Sequence, residues 1–288
     1  MRNRRDVRQV CGMLGALIIS LTCSVILLCL LWQYKEVLDI VHGVEWNEDK
    51  IREFGICEEV LGYYLDGKNK AEDMIEEITL QMMVNDFELK DMSQIKTHIL
   101  TNRCKKKLKS NPDFNELYSF YKTMLTKIDY FPVPNDLVGK QTVGFDNSWG
   151  GKRTYGGERK HEGCDIMTSN NERGYFPILS ITDGVVENKG WLKLGGYRLG
   201  IRGTNGCYYY YAHLYSYADG VEEGDHIKAG QLLGFMGDTG YSEKEGTTGN
   251  FDVHLHMGMY VTLKGKEVSV NPYSILKYLE QKKVSYNF

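Results

Sequence analysis

The sequence predicts an α+β protein with an N-terminal transmembrane helix, an extracytoplasmic α-helical module and a C-terminal, mostly antiparallel β-sheet domain. Residues 10–32 carry no charge, residues 33–131 repeat apolar side chains at helical spacing, and 25 of the 31 glycines lie in residues 137–288. We therefore divide the chain into five parts: a cytoplasmic tip (1–9), a transmembrane anchor (10–32), a helical module or stalk (33–131), a linker (132–136) and the β-rich domain (137–288).

The composition of the 288 residues is that of a globular protein, with 25% charged side chains and a mean hydropathy of -0.39. These values exclude a disordered, collagenous or polytopic membrane chain. An isoelectric point near 6.2 argues against a nucleic-acid partner. The net charge of -3 conceals unequal parts, since residues 1–34 carry +3, residues 35–136 carry -6 and residues 137–288 carry zero.

The apolar segment from Val10 to Trp32 is long enough to cross a lipid bilayer. Its 23 residues would form a helix of roughly 35 Å, against a hydrocarbon core of roughly 30 Å. Four arginines precede it and acidic residues follow, so we expect a single-pass cell-membrane protein with a cytoplasmic N-terminus. A cleaved signal peptide is the alternative. The length of the segment and the lack of a small-x-small site after Leu31 favour the uncleaved anchor.

The helical module has four apolar runs. Asn47 is expected to cap a first helix that presents Ile51, Phe54, Leu61 and Leu65 along one side. Further helices are predicted around Met74–Met82, after Ser93 as far as Leu108, and after Asn111-Pro112, where Pro occupies the first helical position. Such stripes usually form a bundle core or a stalk, although a groove for a protein partner is the alternative.

The seven cysteines give no sign of a Cys-x-x-Cys metal or redox motif. Cys11, Cys23 and Cys29 lie in the anchor, where we expect small apolar fillers. An external location permits disulfides, and a Cys57–Cys104 pair is conceivable, but spacing alone leaves this pairing open.

Five of the seven histidines lie in the β-rich domain, and strand alternation predicts which side chains share a face. In the run 251–260, His254 and His256 would lie side by side, opposite an apolar face that comprises Phe251, Val253, Leu255, Met257 and Met259. In the run 207–217, one face would hold Tyr209, Tyr211, His213 and Tyr215. In the run 161–165, one face would hold His161, Gly163 and Asp165.

Two histidines and one carboxylate from two strands suit a catalytic zinc site, because three protein ligands leave one coordination position open. Gly163 would leave space for the ion. A His-x-His pair on its own is weak support, since such pairs also occur as ordinary surface residues. His226 is interpreted as structural or exposed.

The motifs His161-Glu162-Gly163-Cys164-Asp165, Tyr211-Ala212-His213-Leu214 and His254-Leu255-His256 resemble the lysostaphin-type (LytM-like) zinc metalloendopeptidases in order and spacing, over about residues 140–275. This resemblance implies one Zn²⁺ with His161, Asp165 and His256 as metal ligands, and His213 and His254 as catalytic residues. Tyr155, six residues before His161, is a weaker candidate for an oxyanion contact.

The resemblance also implies a function, namely hydrolysis of peptide bonds in the stem or cross-bridge of bacterial peptidoglycan by a membrane-anchored, extracytoplasmic enzyme. Two alternatives remain. The domain could be catalytically idle and act as a wall-binding or complex-assembly scaffold, or the helical module could occlude the groove and keep the enzyme latent.

Overall fold

The computed structural model describes residues 2–43, 45–67, 70–155 and 157–286, so the first residue of the predicted tip and the last two of the C-terminal domain lie outside it. The chain forms two compact units. One combines the chain up to residue 45 with residues 96–114, and the other comprises residues 46–95 and those from 115 onward. All candidate site residues belong to the second unit.

Helix α1 (Arg2–Gly43) contains the predicted anchor. Its segment Gly12–Lys35 has 24 residues, a mean hydropathy of 2.7 and no buried side chains. Among the described residues this is the one helix long and apolar enough to cross a membrane, a criterion that a signal sequence also meets. Cys23 and Cys29 are exposed on it, whereas the side chains of Cys11 and of the preceding arginines lie outside the described part.

The first predicted helix of the module is two helices. Asn47 caps α2 (Glu48–Glu53) by accepting a hydrogen bond from Lys50 N at 3.1 Å, as expected. Phe54 then adopts a left-handed backbone with φ 49°, which ends the helix. A short strand, β1 (Gly55–Ile56), precedes α3 (Glu58–Leu65), so the expectation of one helix to Leu65 is wrong.

Two further predicted helices form as α4 (Ala71–Val84) and α6 (Phe114–Leu125). Strand β2 (Glu88–Leu89) follows α4 and pairs in parallel with β1. The helix expected after Ser93 is broken into two 3₁₀ turns, Met92–Gln94 and Thr97–Leu100, and α5 (Asn102–Leu108). The caps explain this, because Asp91 and Thr101 each accept a hydrogen bond from a following backbone N–H and start separate turns.

The β-rich domain is built on a ten-stranded sheet in which every strand pairing is antiparallel. The strands after β2, including those outside this sheet, are β3 (Asn135–Asp136), β4 (Val143–Gly144), β5 (Lys152–Arg153), β6 (Arg159–Lys160), β7 (Cys164–Thr168), β8 (Pro177–Leu179), β9 (Gly184–Leu192), β10 (Gly196–Gly203), β11 (Tyr208–Tyr217), β12 (His226–Ile227), β13 (Leu232–Met236), β14 (His254–Leu263), β15 (Lys266–Val270) and β16 (Ser285–Tyr286). The main strand order of the ten-stranded sheet is β12-β9-β10-β11-β14-β7-β4. Strands β13, β8 and β15 pair outside this order.

Helices of the module pack against this domain within the second unit. α2 contacts β15, and α3 contacts the C-terminal helix α7 (Tyr273–Glu280). Phe131 and Val133, beside and within the expected linker, are fully buried, and β3 pairs in parallel with β16. Cys57 and Cys104 lie in different units and each has a free thiol in the structure, so the conceivable disulfide between them stays a prediction.

Candidate active site

The neighbouring strands β7 and β14 bring three predicted metal ligands together. His256 on β14 is paired with Asp165 on β7, and His161 lies just before β7. Asp165 Oδ1 is 3.0 Å from His161 Nε2 and 3.0 Å from His256 Nδ1, and the two ring nitrogens are 2.9 Å apart. One ligand atom from each residue therefore lies within 4.8 Å of the other two.

Gly163 makes this convergence sterically feasible. A Cβ atom at this position would lie 2.6 Å from His256 Cε1, 2.7 Å from His256 Nε2 and 2.7 Å from the Met257 carbonyl oxygen. Real Cβ atoms essentially never approach other heavy atoms so closely. The absence of a side chain thus gives the His256 imidazole room to face His161 and Asp165.

Hydrogen bonds fix the orientation of His161 and the charge of Asp165. His161 is 3% exposed, and its Nδ1 lies 2.9 Å from the Ser148 carbonyl oxygen. Because a carbonyl only accepts, Nδ1 donates, and in the neutral ring Nε2 is left as the acceptor. Burial opposes ionisation of Asp165, but its contacts with His161 and His256 leave the pKa of this carboxyl well below its ordinary value. The site therefore holds an ionised carboxylate that faces one ring nitrogen of each of these two histidines.

His213 reaches the site through an irregular backbone. It lies within β11 with φ 64°, a region that costs a non-glycine residue free energy and occurs often at functional sites. The register of β11 shifts against two of its neighbours near His213. Against β10 the shift lies between Tyr197 and Leu199 of β10, and against β13 it lies between Leu214 and Ser216 of β11. The predicted common face of Tyr209, Tyr211, His213 and Tyr215 is therefore wrong. Tyr209 and Tyr211 are fully buried in the core, whereas Tyr210 and His213 line the same groove.

The rings of His213 and His254 lie beside each other, with centroids 4.7 Å apart. His213 Nδ1 is 2.7 Å from the Thr239 carbonyl oxygen, and His254 Nδ1 is 2.7 Å from the Asp252 carbonyl oxygen. Both Nδ1 atoms therefore donate, and in the neutral ring Nε2 is left as the acceptor. His254 Nε2 is 3.8 Å from Asp165 Oδ1, next to the three predicted ligands.

The side chain of Tyr155 contacts Tyr241, whose ring centroid is 6.1 Å from that of His213. Its ring stacks on Tyr241 with centroids 4.3 Å apart and planes inclined by 5°, and its hydroxyl donates to the Tyr241 carbonyl oxygen. The side chain is 41% exposed. The hydroxyl is thus engaged with the Tyr241 backbone.

All five histidine and aspartate positions open into one groove of about 610 Å³. Three cationic side chains, Arg153, Arg159 and Lys160, line it on the hairpin made by β5 and β6. The Nε of Arg159 is buried and has no hydrogen-bond partner, while its terminal nitrogen lies 3.3 Å from the Tyr241 hydroxyl. Tyr210 and Tyr260 line the same groove.

Known proteins share both this sequence pattern and this fold. The model of peptidase family M23 matches residues 159–272. A Ruminococcus gnavus protein, whose crystal structure carries the name glycyl-glycine endopeptidase lytM, has 36% sequence identity to this chain. The two structures match with a TM-score of 0.70, and the match covers 88% of this chain and 98% of that one. The chain belongs to peptidase family M23.

Two curated M23 relatives are similar over shorter stretches. The L-Ala–D-Glu endopeptidase of Bacillus subtilis is 37% identical over 169 residues, which cover 59% of this chain and 49% of that protein. Lysostaphin of Staphylococcus simulans is 32% identical over 103 residues, 35% of this chain and 19% of that protein. The chain thus spans about half of the first relative and about a fifth of the second.

Phe251 is a residue of the M23 site that strand alternation misses. It was expected on the apolar face, but β14 begins only at His254 and the alternation does not extend back to Phe251. Its ring centroid is 4.6 Å from that of His213 and 5.1 Å from that of His254. From His254 onward the expectation is correct, because Leu255, Met257 and Met259 are fully buried beneath the two histidines.

The donor set of this M23 domain fits a zinc ion. The two imidazole nitrogens and the carboxylate oxygen are ligands that Zn²⁺ takes in catalytic sites. His161 also has the carbonyl partner on its other ring nitrogen that zinc-binding histidines usually have. A cation among these atoms would satisfy three acceptors that otherwise face one another at 2.9–3.0 Å.

Proposed function

We propose that this protein is a membrane-anchored zinc metalloendopeptidase that hydrolyses peptide bonds in bacterial peptidoglycan. The observation that carries the proposal is the convergence of two sets of atoms on one groove. His161, Asp165 and His256 supply a compact metal-ligand set, and His213 and His254 direct a proton-accepting Nε2 toward the same region. Amide hydrolysis needs both elements, an electrophilic centre for the carbonyl and a group that moves protons near neutral pH.

In this proposal His161, Asp165 and His256 hold one Zn²⁺. A bound zinc acts as a Lewis acid on the scissile carbonyl and makes water more acidic. His213 and His254 then perform the proton transfers at Nε2, first accepting a proton from the attacking water and later donating one to the leaving amine. Burial and the neighbouring His254 and His256 lower the pKa of His213 well below its ordinary value, so its base form is present at neutral pH.

The charge of the groove favours a substrate with a free carboxylate. Arg153 donates to Asp165 Oδ2, whereas Arg159 and Lys160 line the groove with Glu162 as the remaining acidic residue. A stem peptide that contains glutamate supplies a carboxylate, whereas a pentaglycine bridge does not. We therefore propose cleavage in the stem peptide beside its acidic residue, as in the name of the Bacillus subtilis relative.

The enzymatic proposal is tested by measuring bound zinc and muropeptide release for the wild type, His256→Ala and His226→Ala. His226 is an exposed histidine on β12 and serves as the matched control. The expected result is one zinc per chain and product release for the wild type and the control, with both lost in His256→Ala. Zinc-replete wild type that releases nothing from wall digests would instead favour the catalytically idle scaffold.

The substrate proposal is tested with three synthetic peptides: an L-Ala–γ-D-Glu stem peptide, its D-isoglutamine counterpart and pentaglycine. The wild type should cleave the first with the highest kcat/KM. Arg159→Gln should lose on the order of 10- to 100-fold on that peptide, the range for a hydrogen bond to a charged group, and should lose the preference over the amidated peptide. Lys266→Gln, an exposed cation outside the groove, should change neither value. Faster cleavage of pentaglycine by the wild type would reject this substrate.

The membrane topology is part of the same proposal. The arginines at the start of the chain and the acidic residues after the apolar segment favour a cytoplasmic N-terminus and an external peptidase domain. The test is cysteine accessibility in intact cells, with an impermeant maleimide and a new cysteine introduced by Lys266→Cys at an exposed position of β15. The wild type gives the background from the native cysteines. Labelling at residue 266 above that background supports the topology, and labelling in lysed but not intact cells contradicts it.

Among residues 46–95 and 115–131, the part of the helical module in the same unit as the groove, the structure describes no residue that lines the groove. The latent enzyme that the sequence also allowed stays a prediction. A protein partner for the module stays a prediction.

A further inference from the structure

The loop Asp146–Gly151, here called the support loop, holds two predicted metal ligands from behind. Its Ser148 carbonyl accepts the Nδ1–H of His161 at 2.9 Å. Gly150 N donates to the His161 carbonyl, and His161 N donates to the Gly151 carbonyl, both at 2.8 Å. The neighbour of Asp165, Cys164, donates from Sγ to the Asp146 carbonyl at 3.3 Å. The support loop therefore fixes both the backbone and the ring of His161.

The opposite side of the support loop rests on helix α2. The Arg52 guanidinium lies 5.7 Å from the centroid of the Trp149 ring. Arg52 of α2 thus places its cation beside an aromatic ring of the support loop.

Arg52 is itself fixed to the end of the sheet. Arg52 donates from Nε to the Ser269 carbonyl at 2.8 Å and from a terminal nitrogen to Ser269 Oγ at 3.0 Å. Asn271 N donates to the Arg52 carbonyl at 2.8 Å, and Asn271 Nδ2 donates to Asn147 Oδ1 at 3.1 Å. Ser269 and Asn271 are each 3% exposed, so Arg52 is anchored on two buried residues, one of which also bonds the support loop.

We propose that Arg52 is a positioning residue of the metal site. It contacts Trp149, which follows Ser148 in the support loop, and the Ser148 carbonyl fixes the tautomer and rotation of His161. The helical module thereby determines metal affinity through a chain of contacts rather than by entering the groove. This inference rests on the proposed zinc site, but it is independent of which peptide bond is cut.

The test measures zinc affinity by competition with a chelator, without substrate, for the wild type and three variants of the full chain. Arg52→Ala removes the cation beside Trp149 and both hydrogen bonds to Ser269, whereas Arg52→Lys keeps a cation at this position. The matched control is Glu116→Ala, because Glu116 on α6 also joins a helix to the sheet, by accepting from Lys264 N, away from the support loop. Urea unfolding of the zinc-free proteins gives the stability change of each variant.

We expect Arg52→Ala to weaken zinc binding by about 10-fold, at the lower end of the range for outer partners of metal ligands. Arg52→Lys should recover part of that loss, and Glu116→Ala should bind zinc like the wild type even if it is equally destabilised. Unchanged affinity in Arg52→Ala would overturn the proposal, and so would an equal loss in Glu116→Ala. Because the readout needs no substrate, zinc-binding wild type that cleaves nothing would reject the peptidase function alone.

Discussion

Replacing Gly163 by alanine perturbs the metal site through a single methyl group. The backbone of Gly163 is not in the left-handed region, so any effect comes from space and not from φ. The new Cβ would lie 2.6–2.7 Å from two atoms of the His256 ring and from the Met257 carbonyl oxygen. Carbon atoms pack favourably at about 3.5–4.0 Å, so His256 or its strand has to move by about 1 Å.

The cost of that movement can be stated as a range. Overpacking of this kind costs about 1–3 kcal/mol, and a misplacement of about 1 Å in a catalytic site can reduce the rate by about 100-fold. We therefore expect Gly163→Ala to weaken zinc affinity by roughly 5- to 100-fold, with a similar or larger fall in kcat/KM at saturating zinc.

Zinc competition titration and muropeptide hydrolysis measure these two quantities. Gly144→Ala is the matched control, because Gly144 lies on β4, pairs with Met167 of β7, and would have no heavy atom within 4 Å of an added Cβ. Wild-type zinc affinity and activity in Gly163→Ala would refute the reasoning that this glycine makes room for His256. Equal losses in the control would attribute the effect to the strands and not to the site.

Three other predictions concern the groove. His213→Ala should leave zinc affinity close to the wild-type value but lower kcat by about 100- to 10,000-fold, the usual contribution of a general base, in steady-state assays. Tyr155→Phe should lower kcat by less than about 10-fold, because its hydroxyl donates to the Tyr241 carbonyl; a loss of 100-fold or more would indicate an oxyanion donor. The pKa values of His213 and His256 are lowered mainly by burial, so the folded metal-free protein binds fewer protons than the unfolded chain below pH 6.5. Its free energy of unfolding should therefore keep its full value above that pH and decrease as the pH is lowered. In urea titrations, His213→Gln should make this decrease with pH smaller.

Regular local patterns made a large part of the site predictable. Alternation along β14 predicted that His254 and His256 share a face above buried Leu255 and Met257, because strand side chains follow a period of two. Helix signals predicted α2 from its cap at Asn47 and α6 from Asn111-Pro112. The strand pattern and the helix signals both depend only on residues that are neighbours in the chain.

The parts that could not be predicted depend on backbone irregularity or on distant contacts. His213 enters the groove because its φ is positive, and no residue beside it signals that conformation. Phe54 ends α2 in the same region of backbone space, although its apolar side chain fits the helical stripe. The contact of Arg52 with Ser269 joins residues 217 positions apart, which no local pattern encodes.

The pairing of His256 with Asp165 would give the proposed metal site a role in folding. A slip of β14 by one residue against β7 would turn every side chain to the opposite face, so Leu255 or Met257 would stand opposite Asp165. Such a chain lacks the proposed set of metal ligands. A cation that binds only the correctly aligned strands stabilises that alignment by mass action, so the proposed zinc site predicts that the zinc concentration during folding favours the native register.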